Sequence, residues 1–350
     1  MNYKNPKKLI PQIITVASLV LIIGYFAFNA QVNMGNRGIS FGYGFLSQEA
    51  SFDIGFSLID YDGSMSYARA FLVGLLNTLL VSAIGIFFAT LIGVTVGVGR
   101  LSSNYLISKV AEFYVEIFRN IPLLLQLFFW YYAALRALPL PENAINIFDI
   151  SYLTVKGWYV PKFIWTNFSV FLSSIVASII AIIFVTKYAR KQREEIGKHV
   201  PAFSISFCIL ILFPLLTFLL EGVSLNFELP VLSQMTSTIY NFKGGVSIIP
   251  ELISLALALS MYTATFIAEN VRAGILGVTK GQKEAAASIG LTKGQILKLV
   301  VMPQALRIII PPTTNQYLNL TKNSSLAAAI AYPDMVLSLI HISEPTRRTP

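Results

Sequence analysis

Ionisable and polar side chains are sparse in this chain, and those lying inside apolar stretches are the first candidates for chemistry. Glu112, Glu116 and Arg119 share one face of a helical stretch that runs on through Asn120, Pro122 and Gln126. Glu269 and Arg272 stand near the end of a later apolar stretch, and Asn319, Lys322, Ser324 and Ser325 stud the last one. Ionisable groups at membrane depth are costly unless they face protein or water, so each set is either a path for a polar solute or a structural pair. Glu116 and Arg119, at i and i+3, are spaced to pair with each other, and Glu269 with Arg272 at a helix end. A single cysteine, Cys208, excludes an intrachain disulfide framework, and two histidines, His199 and His341, exclude a histidine-rich metal site. No G-x-x-x-x-G-K-[ST] run occurs, so the chain carries no P-loop for nucleotide phosphates. The chemistry on offer is binding and conduction; the chain reads as a non-enzyme without a cofactor of its own.

A second kind of site lies between two apolar runs, over residues 280–307. Lys280, Lys283, Lys293, Lys298 and Arg307 make this stretch and its flanks basic, which the positive-inside bias assigns to the cytoplasm. Glu284, Ala285, Ala286 and Ala287 favour a helix. Gly290 can take positive φ and end it, and Thr292 can cap a following helix ahead of Gln295. The spacing predicts a helix, a glycine break and a second helix, protruding from the membrane.

The elements that must hold these residues follow from composition. Of 350 residues, 55% are hydrophobic and 12% charged, with a mean hydropathy of +0.67, which predicts an all-α integral membrane protein. The net charge of +9 would suit nucleic acid, but the basic residues sit in short loops between apolar runs and read as topology determinants. Apolar runs near residues 9–28, 70–98, 110–135, 168–186, 203–220, 248–268 and 308–330 predict about seven spans. Lys4, Lys7 and Lys8 place the N-terminus inside, and the first run reads as a retained anchor rather than a signal peptide. Residues 30–65, including Phe41, Gly42, Tyr43, Gly44 and Phe45, are read as lying on the outer membrane surface. Residues 136–165, punctuated by Pro139, Pro141 and Pro161, and residues 221–246 are read as external loops. Gly85, Ala89, Gly93 and Gly97 recur every four residues and predict a close helix-packing face. The polar residues of the last run predict a helix that lines the inner bundle or pathway.

Glu284-Ala285-Ala286, followed by Gly290 and Pro303 at their spacing, resembles the EAA loop of bacterial ABC-importer permeases, with Met302 where leucine is usual. The run from Arg119 through Pro122, Leu123 and Leu124 to Gln126 is similar to the R-x-x-P-L-L-x-Q signature of the polar amino-acid branch. Residues 266–274 also look like that branch, although Asn270 replaces a more usual aliphatic residue. The first helix, the large external loops and residues 319–326 resemble the general L-amino-acid subgroup. The resemblance implies a permease subunit whose EAA loop docks on an ATPase, two ATPase copies holding ATP and Mg, a second permease chain, identical or homologous, and a periplasmic amino-acid-binding protein. It implies bacterial inner-membrane localisation. A secondary transporter or channel for a small polar solute, or a membrane anchor or sensor, are the alternatives.

The organisation expected is an anchor helix and outer loop over 1–65, a permease domain over 66–334 containing the loop at 280–307, and a non-native tail over 335–350. Residues 337–347 look like a translated sequencing-library adapter. The family pattern calls for an eighth span beginning near Val336, so the sequence as written is expected to give an unstable or inactive product.

Overall fold

The computed structural model describes residues 6–36, 43–165, 168–197, 200–220, 225–236 and 239–343. Lys4, Phe41, Gly42, His199 and residues 344–350 of the expected tail lie outside the described residues. Among those described, six helices are long and apolar enough to cross a membrane. They lie in α1 (Pro6–Asn36), α2 (Tyr67–Gly99), α5 (Phe168–Glu195), α6 (Ala202–Leu220), α7 (Pro250–Leu276) and the continuous stretch Lys293–Ile330.

The expected third span is not one helix. It divides into α3 (Tyr105–Asn120), α4 (Leu123–Phe128) and a π-helical turn over Phe129–Leu135. Pro122 explains the break, because a proline ring disfavours helical geometry in the preceding residue, and Ile121 is extended with φ −88° and ψ 125°. The break leaves carbonyls of α3 without helical partners. The side-chain amide of Gln126, which is buried, donates to Phe118 O at 2.7 Å and Ile121 O at 2.9 Å and closes that gap.

The core is built where α2 meets α7. Ser66 caps α2, its side chain accepting from Arg69 N. Gly85, Ala89, Gly93 and Gly97 are all buried on one face, as their four-residue spacing predicts. A Cβ added at Gly93 would stand 2.7 Å from Ile267 Cβ, and one at Gly97 2.7 Å from Ala268 O, so the α7 backbone approaches as closely as glycine allows. Where lipid removes the hydrophobic drive between helices, such contact is what holds them. At the far end of α2 the buried Asn77 donates through Nδ2 to Phe56 O and Pro333 O, each at 2.9 Å, and its own carbonyl accepts from Tyr332 OH at 3.0 Å. This ties the segment before α2 to the segment that follows the last span. Beyond it, α11 (Met335–Ser343) packs on α2, with Ser338 against Gly74.

The two stretches expected to be external loops carry short strands. β1 (Ile145–Ile147), β2 (Ser151–Thr154), β3 (Gly157–Val160) and β8 (Val246–Ile248) form an antiparallel sheet in that order. β4 (Lys162–Trp165) pairs with β5 (Leu225–Glu228), and β6 (Val231–Thr236) with β7 (Ile239–Lys243). Gly157, at φ +130°, is required at the β2–β3 turn, since a Cβ there would lie 2.4 Å from Ile248 O. Phe242 stacks on Tyr152 with centroids 4.7 Å apart and meets Tyr159 at 4.8 Å, so the two loops share an aromatic centre at the start of α7.

Candidate functional site

The loop at 280–307 folds as its residues dictate. α8 (Lys280–Ser288) carries Glu284, Ala285 and Ala286. Ala286 is 5% exposed and turns inward, while Glu284 and Ala285 face out. Val278, Val301 and Ala305 form a small buried cluster at the base of the loop. α8 ends in a Schellman arrangement: Gly290 N–H donates to Ala287 O at 2.9 Å and Leu291 N–H to Ala286 O at 3.2 Å. Gly290 has φ +87°, the left-handed geometry that its residue type predicts, and the space around it is open rather than tightly packed. Thr292 then begins α9 (Lys293–Gln295) with a full capping box to Gln295.

The second helix of the pair is not separate from the last span, as the sequence reading had it. α9 passes through a π-helical turn over Ile296–Val301 directly into α10 (Met302–Asn323). Pro303, which lacks an N–H, falls just after this turn. The widened turn accommodates a proline that would otherwise clash inside a regular helix. At the C-cap of α8, Ile289 is 77% exposed, a large apolar side chain five residues after the outward Glu284. Sequence reasoning passed over Ile289; its place beside the helix-ending glycine was the available signal.

Above the loop, Glu269 and Arg272 pair as their spacing predicts, with Arg272 Nη2 2.6 Å from Glu269 Oε1. A third partner joins them. Arg100, at the C-terminal end of α2, donates through Nη1 to Glu269 Oε2. One carboxylate thus fastens α2 to α7 where the glycine seam ends, two turns before the C-terminal end of α7. Nothing local in the sequence connects Arg100 to a glutamate 169 residues away.

Glu116 and Arg119 do not pair with each other among the described residues. Lys109 takes Glu112 at 2.7 Å, Glu116 is exposed, and Arg119 sets its guanidinium 5.3 Å from the Phe266 ring centroid. A cation–π contact with a ring on α7 replaces the expected ion pair. Asn120 and Pro122 are exposed at the α3–α4 break, where Gln126 has the structural role described above. On α10, Asn315, Asn319 and Lys322 lie on an exposed face at i, i+4 and i+7. Ser324 and Ser325 return their hydroxyls to Thr321 O and Lys322 O, so they satisfy the backbone as the helix tightens into a 3₁₀ turn over Ser324–Ile330. The structure therefore does not bring the polar residues into one pocket. It forms a capped helical loop, a charge clamp at Glu269 and a polar stripe on an exposed helix face.

Span-length helices around a small-residue seam, two of them joined through a basic helical loop, define a multi-pass membrane protein. The family model described as "Binding-protein-dependent transport system inner membrane component" matches residues 195–347. The chain is 45% identical over 339 residues to the putative amino-acid ABC transporter permease protein YhdX of Escherichia coli, covering 96% of this chain and 85% of that protein. It is 46% identical over 326 residues to the general L-amino acid transport system permease protein AapQ of Rhizobium johnstonii, covering 93% and 80%. A third relative, the glutamate/glutamine/aspartate/asparagine transport system permease protein BztB of Rhodobacter capsulatus, is 34% identical over 358 residues. The chain belongs to the family of ABC-importer permeases, in the branch that holds the amino-acid permeases. It is a multi-pass inner-membrane subunit of an importer, and ATP hydrolysis is not its own activity.

Proposed function

We propose that this chain forms half of the translocation path for L-amino acids and converts movement of a separate ATPase into opening of that path. The observation that carries the reading is α8, which is seated by Ala286 and leaves Glu284 and Ala285, with Ile289 at its C-cap, exposed. A carboxylate on a short helix and an apolar side chain at its C-cap suit a groove with an apolar floor and a basic rim. Two ATPase copies, holding ATP and Mg, would each take one such loop, and a second permease chain, identical or homologous, would supply the other half of the path. The N-terminus is cytoplasmic on this reading, on the same side as the loop, and a periplasmic binding protein delivers the solute at the opposite end.

The exposed stripe of Asn315, Asn319 and Lys322 supports the path assignment, because a span-length helix cannot turn a lysine and two amides to lipid at little cost. The amino-acid substrate rests on the named relatives and the signature ending at Gln126. Glu284→Lys reverses the charge of the outward face without touching Ala286 or the Gly290 turn. It is expected to leave the permease in the membrane and abolish most uptake in vesicles. Wild-type uptake by this variant at wild-type ATPase occupancy would remove the coupling role.

A further inference from the structure

At the end of α7 remote from the loop, the π-helical turn Phe129–Leu135, the β2–β3 turn and the first residues of α7 line a half-open cavity of about 340 Å³. Its charged lining is Arg136, Lys156 and Glu251, arranged about Tyr131. Tyr131 is 8% exposed, and its hydroxyl donates to Glu251 Oε1 at 2.8 Å. The same hydroxyl accepts from Arg136 Nη2 at 3.4 Å, and the guanidinium lies 5.3 Å from the ring centroid. One phenol therefore stands between a carboxylate and a guanidinium that would otherwise close on each other. Lys156 adds a second cation on the guanidinium side of the charge balance, and the contact its Nζ makes, to Tyr240 O, is long at 3.4 Å. π-helical turns are rare irregularities that occur frequently at functional sites, and this one carries Tyr131.

A separated pair of opposite charges in a part-enclosed cavity is complementary to a small molecule with the same charges in the reverse order. We propose that this cavity binds the zwitterionic backbone of a free α-amino acid at the outer mouth of the permease, a site that rests on the amino-acid reading above. Glu251 accepts from the ammonium group, which offers only donors, and Arg136 and Lys156 take the carboxylate. The volume lies at the small end of ligand cavities and leaves room for side chains of different kinds beside Leu135, Val155 and Ile249. Such a site reads the charges common to all α-amino acids and leaves the side chain unread.

The test is equilibrium binding of radiolabelled L-alanine, L-glutamate and L-lysine to the purified permease–ATPase complex in phosphatidylcholine nanodiscs, without the binding protein. Glu251→Gln and Arg136→Gln are each expected to weaken binding of all three at least tenfold while ATPase co-purification is unchanged. N-acetyl-L-alanine and L-alaninamide, each lacking one charge, are expected not to compete. Lys156→Gln, an exposed turn position, is expected to weaken binding severalfold and serves if Glu251→Gln fails to assemble. Wild-type affinity in these variants, a loss confined to one side-chain type, or competition by phosphatidylethanolamine in place of amino acids would overturn the site. Uptake of the same amino acids by the complete system in liposomes separates the two levels. Uptake without binding at this cavity overturns only the site, whereas no uptake of any of them overturns the amino-acid reading and the site together.

Discussion

α7 and α10 leave the same loop and are both long enough to span a bilayer, yet 61% of the apolar window of α7 is buried against 17% for the helix that contains α10. α7 is the pillar: Ile267, Ala268 and Val271 fill the space that Gly93 and Gly97 leave on α2, and Glu269 locks the end of that seam to Arg100. α10 touches the pillar near the loop, where a Cβ on Gly274 would stand 2.3 Å from Ile309 Cγ1, and turns Asn315, Asn319 and Lys322 away from it. The lesson is a division of labour. On the proposed coupling, movement of α8 would reach both helices through the tight contact at Gly274, and of the two it is α10 that carries the exposed polar stripe.

The sharpest way to break this contrast is to overpack the pillar. Gly97→Leu places a side chain where even a Cβ meets Ala268 O at 2.7 Å, so it should cost about 1–3 kcal/mol or more and leave little assembled permease by size exclusion. Full assembly of that variant would mean that the α2–α7 contact is not the structural centre. Gly290→Val comes next. No atom stands near the added Cβ, so its cost arises from φ +87° alone, on the order of 1–3 kcal/mol confined to the loop. The expected result is normal membrane insertion with reduced ATPase binding; unchanged binding and uptake would show that the turn geometry is immaterial. Asn319→Leu should be the mildest for stability, within about 0.5 kcal/mol, because the residue is exposed. It should nonetheless slow uptake several-fold at constant ATPase occupancy, and an unchanged uptake rate would take α10 out of the path.

What could be read from the sequence was what is local. The glycine seam, the Schellman ending at Gly290, the Thr292 to Gln295 capping box and the Glu269 to Arg272 pair each follow from residue types within a turn or two. The division of the third span at Ile121 was legible in Pro122 but was outweighed by continuous apolarity across 110–135. π-helical turns leave no mark in a 3.6-residue pattern, so the passage of α9 into α10 beneath Pro303 was missed. The sheet was hidden for another reason: β8 joins β3 from beyond two intervening helices, and each strand alone is three to six residues long. Arg100 meets Glu269 only in space, and Arg119, expected to pair with Glu116, lies instead over the ring of Phe266, which is distant in sequence.

The central claim, that the outward face of α8 is the docking lever, is tested most directly by protection of a single thiol. Cys208 is the only cysteine in the sequence, so Cys208→Ser followed by Ile289→Cys gives one reporter at the loop tip. Maleimide labelling of that thiol should be rapid in the permease alone and suppressed at least tenfold once the ATPase is bound, whereas a Phe148→Cys reporter at the opposite end should label equally in both. Equal labelling at position 289 with and without bound ATPase, in a complex that still hydrolyses ATP in response to loaded binding protein, would contradict the account.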